Sequence, residues 1–259
     1  MTQITDQIAS ELAVRPEQVQ AVIDLLGEGA TVPFIARYRK HLHGDLDDQQ
    51  IRVIEERRVY LAEMNERRET ILGTISEQGK LTDELKASIL RATTKAELED
   101  LYLPYRPKRR TKAQIALEAG LGPLADALLA HPERDPNAQA GGFLKPDAAI
   151  DTPQAALEGA RAILSERFSE DAKLLGRLRD LYWRQGELVA KVKEGKEEQG
   201  SKFRDLFDYA SPLMKVPSHR VLAAFRGEKE DFLDVRLRPE PEEGVVGYIS
   251  AIASHFKIA

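Results

Sequence analysis

The sequence predicts an all-α, multihelical fold with helix-turn-helix-like elements and at most one short strand near the C-terminus. Along most of the 259 residues, apolar residues recur every three or four positions, which is the spacing of one helix face. Aromatic residues make up only 6% of the chain and charged residues 31%, a composition more typical of helical proteins than of sheet proteins. Only residues 232–238 alternate between polar and apolar side chains as a strand does.

The first half of the chain divides into short helices around one long helix. Apolar spacing and capping residues predict short helices over 4–12, 16–27, 33–38, 82–90, 94–101, 112–119 and 123–131. After Gly44 the pattern continues to about Gln78, with a stripe of Ile54, Leu61, Met64, Ile71 and Ile75. Charges of alternating sign flank this stripe, which predicts a solvated face with weak ion pairs.

The second half begins with a change of composition. Residues 132–151 are rich in Pro, Asn, Gly and Asp, so they predict the longest loop, and we place a domain boundary between a helical domain at 1–131 and a central helical region at 132–259. Further helices are expected over 153–168, from Ser169 to Val192, from Ser201 and from Ser218 to Gly227, followed by the strand at 232–238, which lacks a partner strand. The last helix carries Val245, Ile249, Ile252 and Phe256, and we expect the chain to be truncated after it because this stripe has nothing downstream on which to pack.

Composition and motifs exclude several classes of protein. With 38 basic and 43 acidic residues the chain is mildly acidic, so any affinity for nucleic acid must be local. Zero cysteines exclude disulfides and thiolate metal sites. No apolar run is long enough for a membrane span and residues 1–12 do not form a signal peptide, so a cytoplasmic protein without a membrane partner is expected. Phosphate-binding loops, nucleophile elbows and paired catalytic carboxylates are lacking, so we expect no enzyme and no cofactor.

The segment with the most unusual composition is 101–112 (LYLPYRPKRRTK), where an apolar, aromatic half is followed directly by a cationic half. Pro104 and Pro107 fix their own backbone and disfavour helix in the residues before them, so the segment is predicted to be an extended connector between helices. The first half can pack on a scaffold. The second half can reach a partner through five basic residues that have no acid within this window: Arg106, Lys108, Arg109, Arg110 and Lys112.

Three motifs carry a resemblance to a known family. Residues 31–40 (TVPFIARYRK), 98–113 (LEDLYLPYRPKRRTKA) and 217–220 (PSHR) with 226–228 (RGE) closely resemble the N-terminal part of the bacterial Tex proteins. These are transcription accessory factors related to a eukaryotic transcription elongation factor. The resemblance covers essentially the whole chain and implies a helical N-terminal and central region, followed by YqgF-like, helix-hairpin-helix and OB-fold RNA-binding domains that are not in this sequence. Many members have an acid and a threonine in place of His41 and His43.

The basic residues are the candidate nucleic-acid contacts. One phosphate-binding patch is predicted, with Tyr38 or Tyr105 as a stacking ring, from Arg37, Tyr38, Arg39, Lys40, Tyr105, Arg106, Lys108, Arg109, Arg110 and Lys112. In the alternative, these cations pair with the glutamates of the long helix, since most surface charges make only local pairs. Whether the two clusters meet in space is left open. The resemblance places the principal binding in the absent OB-fold domain, so weak binding without sequence preference is expected here.

The remaining candidates favour structural interpretations. His41 and His43 could be two ligands of a metal, but no third ligand is indicated, so an exposed loop pair of histidines without metal is preferred. His219 follows the expected cap Ser218 and is predicted to be half-buried and hydrogen-bonded. Glu197 and Glu198 are predicted to be solvated.

Two functions therefore remain. The first is a nucleic-acid-associated module of a Tex-like transcription accessory protein, which contacts RNA or single-stranded nucleic acid, with the transcription machinery as a further partner. The alternative is a helical scaffold or protein-interaction module that positions downstream nucleic-acid-binding domains. Salt-dependent binding of a single strand separates the two, because only phosphate contacts release counterions.

Overall fold

The protein, described by a computed structural model for residues 2–148, 150–239 and 243–258, is mostly helical, as predicted. It divides into two compact units, the first of which ends at Tyr102. The helices of this first unit are α1 (Thr2–Leu12), α2 (Pro16–Gly27), α3 (Val32–Tyr38), α4 (Lys40–His43), α5 (Asp48–Glu77), α6 (Asp83–Arg91) and α7 (Lys95–Tyr102). Within the described residues, no helix is long and apolar enough to cross a membrane.

Helix α5 is the spine of the first unit. It begins with a reciprocal cap, in which the Asp47 carboxylate accepts from the Gln50 amide N–H at 2.7 Å and the Gln50 side chain accepts from the Asp47 N–H at 3.0 Å. The predicted stripe is confirmed, since Ile54, Leu61, Met64, Ile71 and Ile75 are all buried. Its N-terminal part packs in one core with apolar residues of α1, α2 and α3, including Ile8, Val19, Val22 and Ile35.

Two arginines of α5 form closer ion pairs than the predicted solvated face implied. Arg57 donates from Nε and Nη2 to the two carboxylate oxygens of Glu11 at 2.7 and 2.6 Å, which joins α5 to α1. Arg67 makes the same two-pronged contact with Glu99 at 2.6 and 3.0 Å, and its guanidinium lies 5.1 Å from the Tyr102 ring centroid, which joins α5 to α7. Such paired hydrogen bonds fix geometry better than single surface contacts do.

The Arg57–Glu11 pair predicts a pH-dependent contribution to stability. Hydrogen bonding to Arg57 lowers the pKa of the Glu11 carboxyl below its ordinary value of 4.5. A lowered pKa means that the pair stabilises the fold fully above the pKa of the unfolded chain and loses this contribution as the pH falls through the folded-state value. We expect Glu11→Gln to lower the free energy of unfolding by about 0.5 kcal/mol at pH 7, the range of partly exposed pairs, and by much less at pH 3, as measured by urea denaturation.

Glu56 provides a matched control for this measurement, because it is exposed on α5 and forms no ion pair among the described residues. Glu56→Gln is expected to leave the free energy of unfolding nearly unchanged at both pH values. Equal losses in the two variants, or a Glu11→Gln loss that persists at pH 3, would contradict the role assigned to the pair.

The second unit comprises residues from Leu103 onward. Its helices are α8 (Lys112–Glu118), α9 (Gly122–Ala130), α10 (Pro136–Ala140), α11 (Pro153–Ser169), α12 (Ala172–Gln185), α13 (Ser218–Lys229) and α14 (Glu243–Phe256), with 3-10 turns at Leu103–Tyr105, Gly141–Phe143, Pro146–Ala148 and Ser201–Leu206. The segment 132–151 is therefore not a continuous loop, since it contains α10 and two of these turns. Three strands complete the unit: β1 (Gly186–Val192), β2 (Asp208–Pro212) and β3 (Leu233–Pro239).

The three strands correct the prediction of an all-α fold with at most one strand. They form an antiparallel sheet in the order β2-β1-β3, in which Ala190 of β1 lies opposite Tyr209 on one side and Val235 on the other. The predicted strand at 232–238 is present as β3, but it has a partner. The predicted helix from Ser169 to Val192 is wrong at both ends, because α12 begins after Asp171 and stops at Gln185.

Local chemistry explains both ends of α12. The Asp171 carboxylate accepts from the Leu174 N–H at 2.8 Å and caps the helix, so the cap is not Ser169. At the other end, a Cβ on Gly186 would lie 2.4 Å from the Tyr182 carbonyl oxygen, so the tight passage from helix to strand requires glycine. Leu188 and Val192 are four residues apart, which fits a helix face, but positions 188, 190 and 192 also fit a strand face.

One face of the sheet builds a core with α13. Leu188, Ala190 and Leu233 pack there with Phe203, Leu206 and Ala224. Gly227 was expected to end its helix, but α13 continues to Lys229, and Gly227 lies buried inside it against Leu233. A Cβ on Gly227 would lie 2.5 Å from Leu233 Cδ1 and 2.8 Å from its Cγ. The contact thus needs a residue without a side chain.

This close approach predicts opposite effects for two glycine substitutions in helices of the second unit. Gly227→Ala is expected to lower the free energy of unfolding by about 1–3 kcal/mol, because the buried Leu233 must shift. Gly176→Ala in α12, where an added Cβ meets nothing within 4 Å, is expected to raise it by about 0.5–1 kcal/mol through helix propensity. Thermal denaturation of the two variants measures the difference, and stabilisation by Gly227→Ala would contradict the packing described.

Candidate nucleic-acid interface

The first predicted basic cluster lies on α3 and at the start of α4. Val32 and Ile35 are buried and anchor α3 in the core, so the helix turns its other positions outward. Arg37 and Lys40 are exposed, Arg39 is half-buried between the two helices, and the Tyr38 side chain is 58% exposed. The α3–α4 surface therefore presents the four predicted residues Arg37, Tyr38, Arg39 and Lys40 together.

An aromatic pair organises the α3–α4 surface. The rings of Phe34 and Tyr38 lie 5.4 Å apart between centroids, and the Arg39 guanidinium lies 5.0 Å from the Phe34 centroid. Phe34 is exposed although it directly precedes the buried Ile35. Its spacing of four residues from Tyr38 places the two rings side by side on the helix surface.

The cations of the α3–α4 surface differ in the contacts that hold their side chains. Arg39 stacks on a ring, which restricts its guanidinium without neutralising its charge. Arg37 and Lys40 form no ion pair and no side-chain hydrogen bond within the part of the chain that the structure describes. They can therefore bind an anion without first giving up an acid.

His43 holds the turn that follows this surface. The prediction of an exposed histidine pair is wrong for His43, which is fully buried at the end of α4, while His41 is exposed. His43 Nε2 lies 3.1 Å from the Ile35 carbonyl oxygen, so Nε2 carries the proton and donates. Gln18 donates from Nε2 to the backbone carbonyl oxygens of His43 and Gly44 at 2.8 and 3.0 Å. His43 thus supports α3 from within, and the described residues contain no cluster of three potential metal ligands.

The second predicted cluster lies in the segment 101–112, whose conformation is only partly as expected. The first residues are helical rather than extended, because α7 continues to Tyr102 and a 3-10 turn covers Leu103–Tyr105. Residues 106–111 then run without regular structure to α8. Thr111 caps α8 by accepting from the Gln114 N–H at 3.0 Å.

Two cations of this segment are paired, but not with the long helix. Lys108 contacts Glu170, which directly follows α11, and also lies 3.6 Å from Glu166 on α11. Arg110 pairs with Glu118 of α8 at 2.5 Å. The alternative expectation of pairing with the glutamates of α5 is therefore replaced by pairing within the second unit. Such pairs fold the segment onto its own unit.

The other residues of this cluster have different surroundings. Arg109 and Lys112 are exposed and form no ion pair among the described residues. Arg106 is exposed and Tyr105 is half-buried. The two predicted clusters belong to different compact units, divided after Tyr102, so each is a surface of its own unit and the single combined patch stays a prediction.

The remaining candidate residues are exposed at the protein surface. His219 is exposed rather than half-buried, and Pro217, not Ser218, precedes the first turn of α13. Glu197 and Glu198 are exposed, as predicted.

The described residues form a multihelical protein region that includes a three-stranded antiparallel sheet in its second unit and carries exposed cationic surfaces. Comparison with known protein families identifies the family to which this class of protein corresponds. Residues 2–76 match the model of the Tex-like protein N-terminal domain, and residues 131–259 match the Tex central region-like model. The chain belongs to the Tex family. The predicted domain boundary between 131 and 132 stays a prediction, because the compact units divide after Tyr102 and the two family models leave residues 77–130 unmatched.

Individual relatives agree with this assignment. The chain is 50% identical over 260 residues to the Transcriptional accessory protein Tex of Neisseria gonorrhoeae, covering 99% of this chain and 34% of the relative. It is 52% identical over 239 residues to Protein tex of Bordetella pertussis, covering 92% and 30%. It is 28% identical over 240 residues to human S1 RNA-binding domain-containing protein 1, covering 89% and 24%. The chain thus spans about a third or less of the length of these relatives.

The pairing of Lys108 and the absence of a partner at Arg109 predict different consequences for stability. Lys108→Ala leaves Glu166 and Glu170 facing each other without a cation and is expected to lower the free energy of unfolding by about 0.5–1 kcal/mol. Arg109→Ala removes no pair and is expected to change it by less than about 0.5 kcal/mol. Urea denaturation of both variants makes the comparison, and an Arg109 loss equal to that of Lys108 would contradict the described pairing.

Proposed function

We propose that this chain is the nucleic-acid-associated helical region of a Tex-like transcription accessory protein and that it contacts RNA or another single strand weakly and without sequence preference. The observation that carries the proposal is the α3–α4 surface, where the exposed Tyr38 ring stands beside the unpaired cations Arg37 and Lys40. The names of two relatives, a transcriptional accessory protein and an S1 RNA-binding domain-containing protein, support the same class of partner.

The chemistry of the α3–α4 surface suits a single strand. Cations track the phosphodiester backbone, and a flat exposed ring can stack on any base because every base has a π-face. Arg37 and Lys40 take the phosphate role and Tyr38 the stacking role, with Arg39 held close by on Phe34. None of these contacts distinguishes one base from another, so binding without sequence preference follows.

In the segment 101–112 fewer residues are available to contact phosphates. Arg109 and Lys112 are exposed without an acid and can reach phosphates. Lys108 and Arg110 are already neutralised by Glu170 and Glu118, so a phosphate must compete with these carboxylates. This segment therefore contributes a smaller share of the binding than its five positive charges suggest.

A second candidate function is a helical scaffold that positions downstream nucleic-acid-binding domains. The observation that favours it is the pairing of Lys108 with Glu170 and of Arg110 with Glu118. These ion pairs attach the segment 101–112 to the end of α11 and to α8. In both functions the region acts without catalysis and without a cofactor, in the cytoplasm. Contacts with the transcription machinery belong to either role.

The first function predicts a change in the salt dependence of binding. Each phosphate contact to a single strand adds about 0.7 to the slope of log affinity against log salt, so Arg37→Ala/Lys40→Ala is expected to reduce the slope by about 1.4. Tyr38→Ala is expected to weaken a single strand more than a duplex, because only unpaired bases can stack on the ring. Fluorescence anisotropy of a labelled 20-nucleotide strand, titrated at several salt concentrations, measures both effects.

Lys80→Ala/Lys86→Ala is the matched control, since it removes from the same unit two exposed cations that form no ion pair with a described residue. This control is expected to leave the slope close to that of the parent. An equal loss of slope in control and test variants would mean that only net charge matters, and the α3–α4 site would be wrong. If the parent itself shows no salt-dependent binding, the scaffold function stands instead.

A further inference from the structure

Helices α12 and α14 of the second unit lie antiparallel to each other. At one end His255 Nε2 of α14 lies 3.1 Å from Asp171 Oδ1, immediately before α12. At the other end the rings of Tyr182 and Tyr248 lie 4.6 Å apart between centroids. Because early residues of α12 meet late residues of α14, the two helices run side by side in opposite directions.

A groove of about 360 Å³ runs between these helices, and its lining combines polar side chains with the apolar Leu181 and Ala251. One wall carries Arg177, Asp180 and Arg184 of α12, and the other carries the hydroxyls of Ser250 and Ser254 together with Gly247. A groove that places guanidinium groups opposite hydroxyl donors has the donor set that binds phosphate oxygens.

The cations of the groove are not committed to acids. Arg177 and Arg184 form no ion pair with any described residue, although Asp180 lies between them on the same wall. At 1.5 Å per residue they are spaced by about 10 Å along the helix, so they can contact different phosphates of one strand. Lys173, one turn before Arg177, is likewise exposed and unpaired and continues the row.

Trp183 stands on the flank of this wall. It is the single tryptophan of the chain, and its side chain is 59% exposed. It precedes Arg184 directly and follows Asp180 by three residues, so it is a neighbour of Asp180 on the helix surface. A large exposed ring beside unpaired cations is the arrangement of sites that stack bases while holding the backbone.

We propose that the groove between α12 and α14 is a second single-strand binding site of this chain. Arg177 and Arg184 hold phosphates, Ser250 and Ser254 donate hydrogen bonds to phosphate oxygens, and one base stacks on Trp183. The proposal rests on the proposed function for its class of ligand, but it uses none of the residues of the α3–α4 surface or the segment 101–112.

The uniqueness of Trp183 makes the site directly observable, since all tryptophan fluorescence of the chain comes from it. The full chain is titrated with a thymidine 12-mer labelled for anisotropy, while tryptophan emission is followed in the same samples. Stacking is expected to quench the emission to saturation as the strand binds. Arg177→Ala/Arg184→Ala is expected to raise the strand concentration at half-maximal quenching about tenfold. The slope of log affinity against log salt, measured by quenching, is expected to fall by about 1.4.

Three further variants complete the design. Arg177→Lys/Arg184→Lys retains the charges and is expected to restore most of the quenching. Arg226→Ala/Lys229→Ala removes from α13 two exposed cations that have no ion pair within the described part of the chain, and it is expected to leave the quenching unchanged. Trp183→Ala, followed by anisotropy alone, is expected to weaken binding, with circular dichroism confirming that the helices persist.

The outcomes distinguish this site from the first one. Anisotropy that rises without any change in Trp183 emission would overturn the groove and leave the proposed function standing. Full quenching in Arg177→Ala/Arg184→Ala, or equal weakening by the α13 control, would also overturn it. If Arg37→Ala/Lys40→Ala leaves the quenching intact while lowering the binding measured by anisotropy, both sites are supported. If neither anisotropy nor tryptophan emission detects binding to the parent chain, both proposals are refuted.

Discussion

Burial of one face of α5 is the interaction on which the first unit depends. A 30-residue helix gains most of its stability in a protein from packing rather than from intrinsic propensity, and the N-terminal part of α5 buries Ile51 and Ile54 against α1, α2 and α3. The opposite side of α3 is consequently free to carry Tyr38 and its cations, because Ile35 already anchors the helix. The paired arginines Arg57 and Arg67 add orientation to this packing by joining α5 to the helices on either side.

The basic residues of this protein separate into two groups by what neutralises them. Lys108, Arg110 and Arg67 have acids held at contact distance, so their charges are used within the fold. Arg37 and Arg177 have no such acid among the described residues. A chain with an overall excess of acid can still present local positive potential where the cations lack a nearby carboxylate. Counting basic residues in a segment therefore overestimates its capacity for phosphate.

The sequence was informative where a pattern is long or local. The stripe of α5 from Ile54 to Ile75 repeats over about six turns. The helix expected from residue 94 is present and is capped locally, with the Glu97 N–H donating to Thr94 Oγ1 at 3.2 Å. It was misleading at Leu188 and Val192, whose spacing fits helix and strand alike, so the pairing partner of β3 went unrecognised. The acids that neutralise Lys108 lie about sixty positions away, at the C-terminal end of α11 and directly after it, and no local pattern reveals them. Trp183 was not singled out, because exposure of one ring depends on tertiary packing.

The small sheet has two edge strands for a single central strand. Among the described residues β2 and β3 each pair with β1 alone, and the other side of an edge strand can accept a strand from a second molecule. β2 is five residues long and ends at Pro212, whereas β3 ends at Pro239 and carries Asp234, Arg236 and Arg238 along its length. Proline cannot donate to a further ladder, and charges resist the desolvation that sheet stacking requires. The prolines and charges of the two edge strands thus guard the sheet against self-association.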